Sequence, residues 1–179
     1  MTTAYKTPKG EISIRIATSE DAQALFELRL EALSAHPEAF AADVESTRAR
    51  GVQDWVDQIT RDANDQTGII VIAKAGNELI GMSGVGRGHW PKTRHTAIVW
   101  GVYVQPAWRG QHIAQAILDE CIHWSAEHRI VVLKLGVLTS NKAAIRCYER
   151  AGFTTHGIEP KSIFFDGVYY DEYLMSRMV

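Results

Sequence analysis

The chain has little of several residue types, and each shortage excludes a class of protein. Only two cysteines, Cys121 and Cys147, occur among its 179 residues, which excludes a disulfide-dense secreted scaffold. No apolar run approaches the roughly 18 to 20 residues that a membrane-spanning helix needs. The N-terminal segment lacks the apolar stretch of a signal peptide. We therefore expect a cytoplasmic protein that has no membrane partner.

The charge of the chain is also close to balanced, which excludes partners that need a strong electrostatic field. Its 19 Lys and Arg residues and 21 Asp and Glu residues give a formal net charge of −2. A nucleic-acid-binding protein usually has a strong basic excess, so no nucleic-acid partner is expected. The 7 His residues show no metal-ligand spacing such as H-x-x-x-H, so no metal site is expected either.

Apolar periodicity predicts several strands and two helices in the first part of the chain. The strands are predicted at 12–16, 69–73, 79–86 and 95–104, and the helices at 25–33 and 52–59. Residues 38–50, between the two helices, have the pattern of a loop or a short helix. Residues 1–10 are polar and contain Pro8 and Gly10, so they are predicted to be a flexible tail ahead of a single domain at 11–179.

The later part of the chain predicts two more helices, one strand and a closing hairpin. A helix begins near Ile113, and residues 130–138 are almost all apolar, which predicts a strand buried on both faces. Asn141 can cap a short helix at 142–150. Asp166-Gly167 favours a tight turn between the two final strands. The whole order predicts one α+β domain on a largely antiparallel sheet.

The segment from Val102 to Ala114 contains the clearest functional signal. It is predicted to be a strand, a tight turn and the opening of an amphipathic helix. The free N–H groups and the dipole of a helix N-terminus attract phosphate, and Arg109 adds a charge that can pair with it. The segment has neither the Gly-Lys-Ser/Thr of a Walker loop nor the G-x-G-x-x-G of a dinucleotide fingerprint. On these grounds alone it is equally well an ordinary helix start after a strand.

This segment resembles the acetyl-coenzyme-A-binding segment of the GNAT superfamily of N-acetyltransferases, in which the helix start cradles the pyrophosphate of the cofactor. The family pattern is V-x-P-x-x-Arg/Gln-x-x-Gly-x-Gly/Ala, and the residues that match it in register are Val104, Pro106, Arg109, Ile113 and Ala114. The sequence departs from the pattern at His112, where Gly is usual. A Cβ at this position could crowd the pyrophosphate, or the imidazole could contact it.

Two later segments resemble the same family. Within residues 135–153, Asn141 and Tyr148 have the family's spacing and a Gly-Phe pair follows them. Residues 165–175 resemble the closing hairpin of many members. The three matches occur in the family's order, and the resemblance covers residues 12–179.

The resemblance implies the GNAT acyl-CoA N-acyltransferase fold. This is an α+β fold, classed as α/β in some schemes, with a central, mixed but mostly antiparallel twisted sheet flanked by about four helices. The resemblance also implies that the fourth and fifth strands splay apart. The backbone N–H groups of Val102, Tyr103 and Val104 would then be free to bind an acyl oxygen or a pantetheine amide.

Acetyl-CoA is the co-substrate that the resemblance implies, with no metal. The residues at positions that bind it in the family are Val102, Tyr103, Val104, Arg109, Gly110, Gln111, His112, Ile113, Ala114, Gln115, Asn141, Ala144 and Tyr148. Asn141 would contact the cofactor or a nearby water, although a role as helix cap explains it equally well.

The reaction implied is direct attack of a primary amine on the acetyl thioester in a ternary complex. Tyr148 matches the catalytic general acid, because a phenol with a pKa near ~10 can protonate a thiolate whose conjugate acid has a pKa near ~8.5. Many members carry Glu on the strand before the loop, but residues 97–104 contain no carboxylate. The base therefore stays open among Glu31, Glu38, Glu45, Glu172 and a water molecule that leads to bulk solvent.

The acceptor is predicted to be a small-molecule amine. It would bind between the first two helices, the closing hairpin and the end of the strand that contains Trp100. The aromatic residues that could line this site are Phe40, Trp55, Trp90, Tyr169 and Tyr170. Two alternatives stay open: acetylation of a protein or peptide, and a non-catalytic acetyl-CoA-binding sensor, which His112 and the missing strand carboxylate motivate. A homodimer is compatible with the aromatic residues, although no motif supports it.

Overall fold

The computed structural model describes residues 2–179 as one sheet with helices on both faces. The eight strands of this part of the chain are β1 (Thr2–Thr7), β2 (Gly10–Ile16), β3 (Gly68–Ala75), β4 (Glu78–Arg87), β5 (Thr96–Val104), β6 (Val132–Leu138), β7 (Thr154–Phe165) and β8 (Val168–Met178). Its four α-helices are α1 (Ala22–Ala35), α2 (Val44–Asp65), α3 (Ile113–Glu127) and α4 (Lys142–Arg150). The sheet order is β1-β2-β3-β4-β5-β6-β8-β7, and neighbouring strands are antiparallel except for the parallel pair β5 and β6. The predicted α+β architecture is confirmed.

The sheet separates two apolar cores. On one face, α3 and α4 pack through Ile117 and Ile145. On the other face, α1 and α2 pack through Leu25 and Trp55. Successive residues of β3 alternate between the two cores, which explains why this strand is almost entirely apolar. Among the helices of residues 2–179, none is both long and apolar enough to cross a membrane.

The N-terminal segment differs from the prediction of a flexible tail at 1–10. Thr2–Thr7 forms β1, which pairs with β2 along its whole length. Its side chains are mostly exposed, so it has no apolar period that could have revealed it. An edge strand needs only the unpaired backbone groups of its neighbour, and β2 supplies them. Met1 lies outside the described residues, and the predicted domain at 11–179 stays a prediction.

The second helix is longer than its apolar pattern indicates. Residues 38–50, predicted to be a loop or a short helix, include the start of α2 at Val44. The Asp43 carboxylate accepts a hydrogen bond from the Ser46 N–H at 2.8 Å and so caps the helix. Gly51, with φ of 72°, then interrupts the regular backbone within the helix.

The sixth strand is buried on one face only, so its predicted burial on both faces is wrong. Leu133, Leu135 and Val137 are buried, whereas Lys134 and Gly136 between them are exposed. The buried side chains belong to the core beneath α3 and α4. The core beneath α1 and α2 contains no residue of β6, so the outer face of this strand meets solvent at Lys134 and Gly136, and Leu138 at its end is buried beside the first cleft.

The fifth and sixth strands pair only at their beginnings. Thr96–Ile98 of β5 lies parallel to Val132–Lys134 of β6, and the pairing ends there. The predicted splay is therefore confirmed, between the fifth and sixth strands rather than the fourth and fifth, because β1 adds one strand to the count.

A bulge in β5 accompanies this splay. Met82 of β4 pairs with Tyr103 and Gly84 pairs with Trp100, so β5 has one more residue than β4 between these pairs. Gly101, within the bulge, has φ of 64°, which glycine adopts without strain. A bulge bends its strand and increases the local twist, which turns the end of β5 away from β6.

Candidate active site

A cleft with a volume of about 650 Å³ lies beside the splayed end of β5. Its walls are the end of β5, the start of α3, one side of α4 and the turn after α1. The predicted site residues that line it are Val102, Tyr103, Val104, Arg109, Gly110, His112, Ile113, Ala114, Gln115, Asn141, Ala144 and Tyr148. Gln111 is the predicted residue that does not line the cleft.

The start of α3 has amides that nothing in its own helix occupies. His112, the residue before the helix, has φ of 59° and ψ of 17°. This left-handed conformation costs most L-residues roughly 1–2 kcal/mol, although His tolerates it better than most, and it explains why Gly is usual here. The His112 side chain makes no capping hydrogen bond. The first-turn amides, including those of Ile113 and Ala114, are therefore available to an external acceptor.

Two glutamine side chains near this helix start have buried, unpaired oxygens. Gln115 Nε2 donates to Asp119 Oδ1 at 3.0 Å, while Gln115 Oε1 is buried and has no partner among residues 2–179. Gln111 Oε1 is buried and unpaired in the same way. A buried acceptor of this kind costs free energy unless a donor reaches it, so the loop is suited to a ligand that carries N–H groups.

Arg109 makes two polar contacts within the protein. Its Nε donates to the Val104 carbonyl oxygen at 3.0 Å, and its Nη2 lies 3.0 Å from His36 Nε2. A guanidinium only donates, so His36 Nε2 accepts and the ring proton lies on Nδ1. Arg109 thus joins the end of β5 to the turn after α1, and its pairing with phosphate stays a prediction.

Tyr103 forms a polar cluster at the end of β5. Its hydroxyl donates to Glu31 Oε1 at 2.9 Å, and Gln105 Nε2 donates to Glu31 Oε2 at 3.1 Å. Burial, followed by the adjacent Glu31 carboxylate, raises the pKa of Tyr103 to about 12. Both carboxylate oxygens of Glu31 thus accept a hydrogen bond from a neighbouring side chain.

Tyr148 and Cys147 are the chemically active side chains that α4 brings to the cleft. Tyr148 is buried, its ring centre lies 6.2 Å from that of Phe153, and burial raises the pKa of its hydroxyl well above the ordinary value. Burial also raises the pKa of the Cys147 thiol, despite the opposing charge of Arg150. Neither group is therefore deprotonated at neutral pH.

The fourth helix also brings two cations to the cleft, Arg146 and Arg150, which sequence reasoning missed. The signal was available, because Lys142, Arg146 and Arg150 recur at every fourth residue and so share one face of a helix. Asn141, which was predicted, caps this helix through its Oδ1, which accepts from the Ala144 N–H at 3.1 Å.

The four carboxylates considered as bases occupy different places. Glu38 lines the cleft, whereas Glu31, Glu45 and Glu172 do not. Glu45 lies in the exposed first turn of α2, and Glu172 on β8 accepts a hydrogen bond from the Ser162 hydroxyl.

A second cleft, with a volume of about 310 Å³, lies between α1, α2 and β5. Its lining residues are Arg29, Ala42, Thr47, Arg50, Asp54, Trp55, Gln58 and Trp100. Of the aromatic residues predicted to surround the acceptor, Trp55 lines this cleft and Phe40 lines the first one. Trp90 and Tyr169 are largely exposed, and neither they nor Tyr170 line either cleft. Within residues 2–179, no three His, Cys, Asp or Glu side chains are grouped as metal ligands.

Residues 22–153, more than half of the chain, match the model of the acetyltransferase (GNAT) family. An L-amino acid N-acetyltransferase, AaaT of Escherichia coli K12, is 26% identical over 174 residues, which cover 94% of this chain and 99% of that protein. The mycothiol acetyltransferase of Propionibacterium freudenreichii subsp. shermanii is 30% identical over 124 residues, which cover 66% of this chain and 35% of that protein. This chain therefore spans only about a third of the length of the mycothiol acetyltransferase.

Solved structures have the same fold. Salmonella typhimurium yncA, determined with its cofactor acetyl-CoA, superposes with a TM-score of 0.82, and the superposition covers 93% of each chain. The two sequences are 21% identical, so this likeness is evidence of fold alone.

Proposed function

We propose that this chain, which belongs to the acetyltransferase (GNAT) family, transfers an acetyl group from acetyl-CoA to the primary amine of a small molecule. The observation that carries the proposal is the cleft of about 650 Å³, where the splayed β5, the uncapped start of α3 and Tyr148 of α4 meet. The L-amino acid substrate class of the Escherichia coli relative supports a small acceptor. A cytoplasmic location and a homodimer stay predictions from the sequence.

The cleft fits the chemistry of coenzyme A. The amides at the start of α3, together with Arg146 and Arg150, would hold its phosphates. The unpaired Gln115 Oε1 and the free backbone edge of β5 would hold the amides of its pantetheine arm. The Salmonella neighbour was solved with acetyl-CoA, which supports the same ligand here. When bound, acetyl-CoA supplies the acetyl group as an activated thioester.

Tyr148 would give a proton to the sulfur that leaves. The raised pKa of its hydroxyl keeps it protonated across the working pH range, although it also makes the transfer more uphill than for a free phenol. Cys147 lines the same cleft, but its raised pKa leaves it a thiol, which is a poor nucleophile. This supports direct attack by the amine rather than an acyl-cysteine intermediate.

Glu38 is our choice among the candidate bases. It lines the cleft, and no hydrogen bond engages its carboxylate among the contacts of residues 2–179. Glu31, by contrast, does not line the cleft, and both of its carboxylate oxygens already accept hydrogen bonds from Tyr103 and Gln105. Glu38 would take the proton of the attacking amine directly or through one water.

The test is release of the CoA thiol from acetyl-CoA over a panel of small amines and peptides. We expect release that depends on a small amine, and we expect Tyr148→Phe to lower kcat by about 100-fold. Tyr169→Phe, at an exposed tyrosine outside both clefts, is the matched control and should leave kcat unchanged.

The stabilisation of the protein by acetyl-CoA should be the same in both variants, since neither change removes a phosphate or pantetheine contact. If peptides are acetylated and small amines are not, the result would favour the protein-acetylating alternative. Stabilisation by acetyl-CoA without thiol release from any amine would favour the sensor alternative.

A further inference from the structure

Arg29 of α1 is a buried cation with no carboxylate partner within residues 2–179. Its exposed fraction is 9%, and its Nη1 makes no hydrogen bond with any residue from 2 to 179. Buried arginines are normally paired with a carboxylate or with several acceptors, because an unpaired buried charge is costly. The guanidinium carbon lies 4.5 Å from the centre of the Phe40 ring. That contact covers the flat face of the guanidinium but offers no acceptor to its N–H groups.

Arg29 lines the second cleft, and so does a second residue with a buried, unpaired polar atom. Thr47 of α2 lines the same cleft, is 4% exposed, and has a buried Oγ1 with no partner in the described part of the chain. Two residues from different helices thus line one cleft, and each has a buried polar atom with no hydrogen-bond partner in the described part of the chain. A carboxylate is the group that both suit, because a guanidinium and a hydroxyl can each donate to its oxygens.

The charge of this cleft favours an anion. Arg50 also lines it, and its charge, after the larger effect of burial, helps to lower the pKa of Arg29 to about 10. Asp54 is the acidic residue of the lining, and its Oδ2 lies 3.9 Å from Arg50 Nη1 rather than on Arg29. An anion beside Arg29 would offset the repulsion between the two arginines.

The cleft is next to the proposed reaction centre. Phe40, which lies against the Arg29 guanidinium, also lines the first cleft. A Cβ built on Gly101 would lie 3.4 Å from Arg29 Nη1, and Gly101 directly precedes Val102 at the edge of the first cleft. The indoles of Trp55 and Trp100, with ring centres 6.4 Å apart, form an apolar wall beside the charge.

We propose that Arg29 and Thr47 bind a carboxylate of the acceptor, so that the substrate class is an amine that also carries a carboxylate. This inference rests on the proposed acetyl transfer and adds to it the group that selects the acceptor. The carboxylate accepts from Arg29 and Thr47, and the amine reaches past Phe40 toward the end of β5.

The test compares acceptors that differ only in the carboxylate. L-Leucine is paired with L-leucinamide, L-phenylalanine with L-phenylalaninamide, and β-alanine with 3-aminopropanamide, and kcat/KM for thiol release is measured. The amine of each amide is less basic, so more of it is neutral, and a preference for the acid cannot come from amine ionisation. We expect the acid to be preferred in at least one pair by about 10- to 100-fold.

Arg29→Met should remove this preference by lowering kcat/KM for the acid about 10- to 100-fold while leaving the amide and the KM for acetyl-CoA unchanged. Thr47→Val, which keeps the shape, should lower the value for the acid about 3- to 10-fold. Arg48→Met is the matched control, because Arg48 is exposed on α2, outside both clefts. Equal rates for acid and amide, or an equal loss of both in Arg29→Met, would overturn the proposal.

A binding measurement separates this inference from the proposed function. L-Leucine and L-leucinamide are titrated into wild type and Arg29→Met by calorimetry, with CoA present. If no amine is acetylated but leucine binds wild type alone, the proposed function fails and the carboxylate site stands. If amines are acetylated but leucine and leucinamide bind equally, the carboxylate site fails and the proposed function stands.

Discussion

Replacing Arg29 with Met should make the folded protein more stable, although it removes a group proposed to bind substrate. The guanidinium is buried, and its Nη1 has no partner within residues 2–179. Methionine keeps much of the apolar stem and removes the charge that burial penalises. If Arg29 binds substrate, its burial without a partner destabilises the free protein. If its role were structural, Arg29 would stabilise the fold, and its replacement would lower the stability.

The magnitude follows from the pKa of Arg29. Burial, with the charge of Arg50, lowers it from an ordinary value above 12 to about 10. At ~1.4 kcal/mol per pKa unit this corresponds to about 3 kcal/mol of destabilisation. Loss of the contact with Phe40 offsets roughly 0.5–2 kcal/mol. The net gain is about 1–3 kcal/mol, or a rise in Tm of about 2–12 °C for a chain of this size.

The direction in which this stability cost changes with pH is fixed, because the pKa of Arg29 is lower in the folded protein than in the unfolded chain. The cost is fully present below pH 10 and shrinks only as the folded protein loses its proton above that pH. The difference in Tm between Arg29→Met and wild type should therefore be constant from about pH 6 to 9.

Thermal unfolding followed by circular dichroism measures this, with Arg48→Met as the control, which should change stability by less than about 0.5 kcal/mol. A Tm that falls in Arg29→Met but not in the control would refute the reasoning. The guanidinium would then have a stabilising partner in the free protein.

Three further predictions concern the first cleft and the bulge of β5. Glu38→Gln should lower kcat by about 100-fold while leaving the KM for acetyl-CoA unchanged, and an unchanged kcat would remove Glu38 as base. His112→Gly should raise the free energy of unfolding in urea by up to about 1 kcal/mol without weakening acetyl-CoA binding, since φ is 59°, and a large loss of stability would contradict this. Gly84→Ala should destabilise by about 1–3 kcal/mol, because a Cβ there would lie 2.1 Å from the Trp100 ring. Gly86→Ala, where the nearest atom would be 3.8 Å away, should have a much smaller effect in the same urea experiment.

Elements with one apolar face were predictable from the sequence, and elements without one were not. The apolar period of α3 survives in the structure because its buried side chains form the core beneath the sheet. β1 has no such period, since it is an edge strand formed by backbone pairing alone. The start of α2 depends on the cap at Asp43 rather than on apolar spacing, so the helix was predicted too short.

The candidate site was predictable where it depends on the backbone. Most residues of the segment from Val102 to Ala114 line the cleft, because the end of a strand and the start of the following helix are adjacent in the sequence. The direction of the Arg109 side chain was not predictable, because it depends on His36 and on a carbonyl brought near only by folding. Arg29 had a signal that was overlooked, since it follows Leu25 by one helical turn and so lies on the apolar stripe of α1.

The most direct test of the central claim is the stoichiometry of one reaction. Wild-type protein, acetyl-CoA and a carboxylate-bearing amine such as L-leucine are mixed, and the released CoA thiol and the N-acetyl product are counted by mass spectrometry. We predict equal amounts of the two, no release without the amine, and a protein that stays unacetylated. Thiol release without an amine, or an acetyl group held on Cys147, would contradict direct transfer to an amine in this cleft.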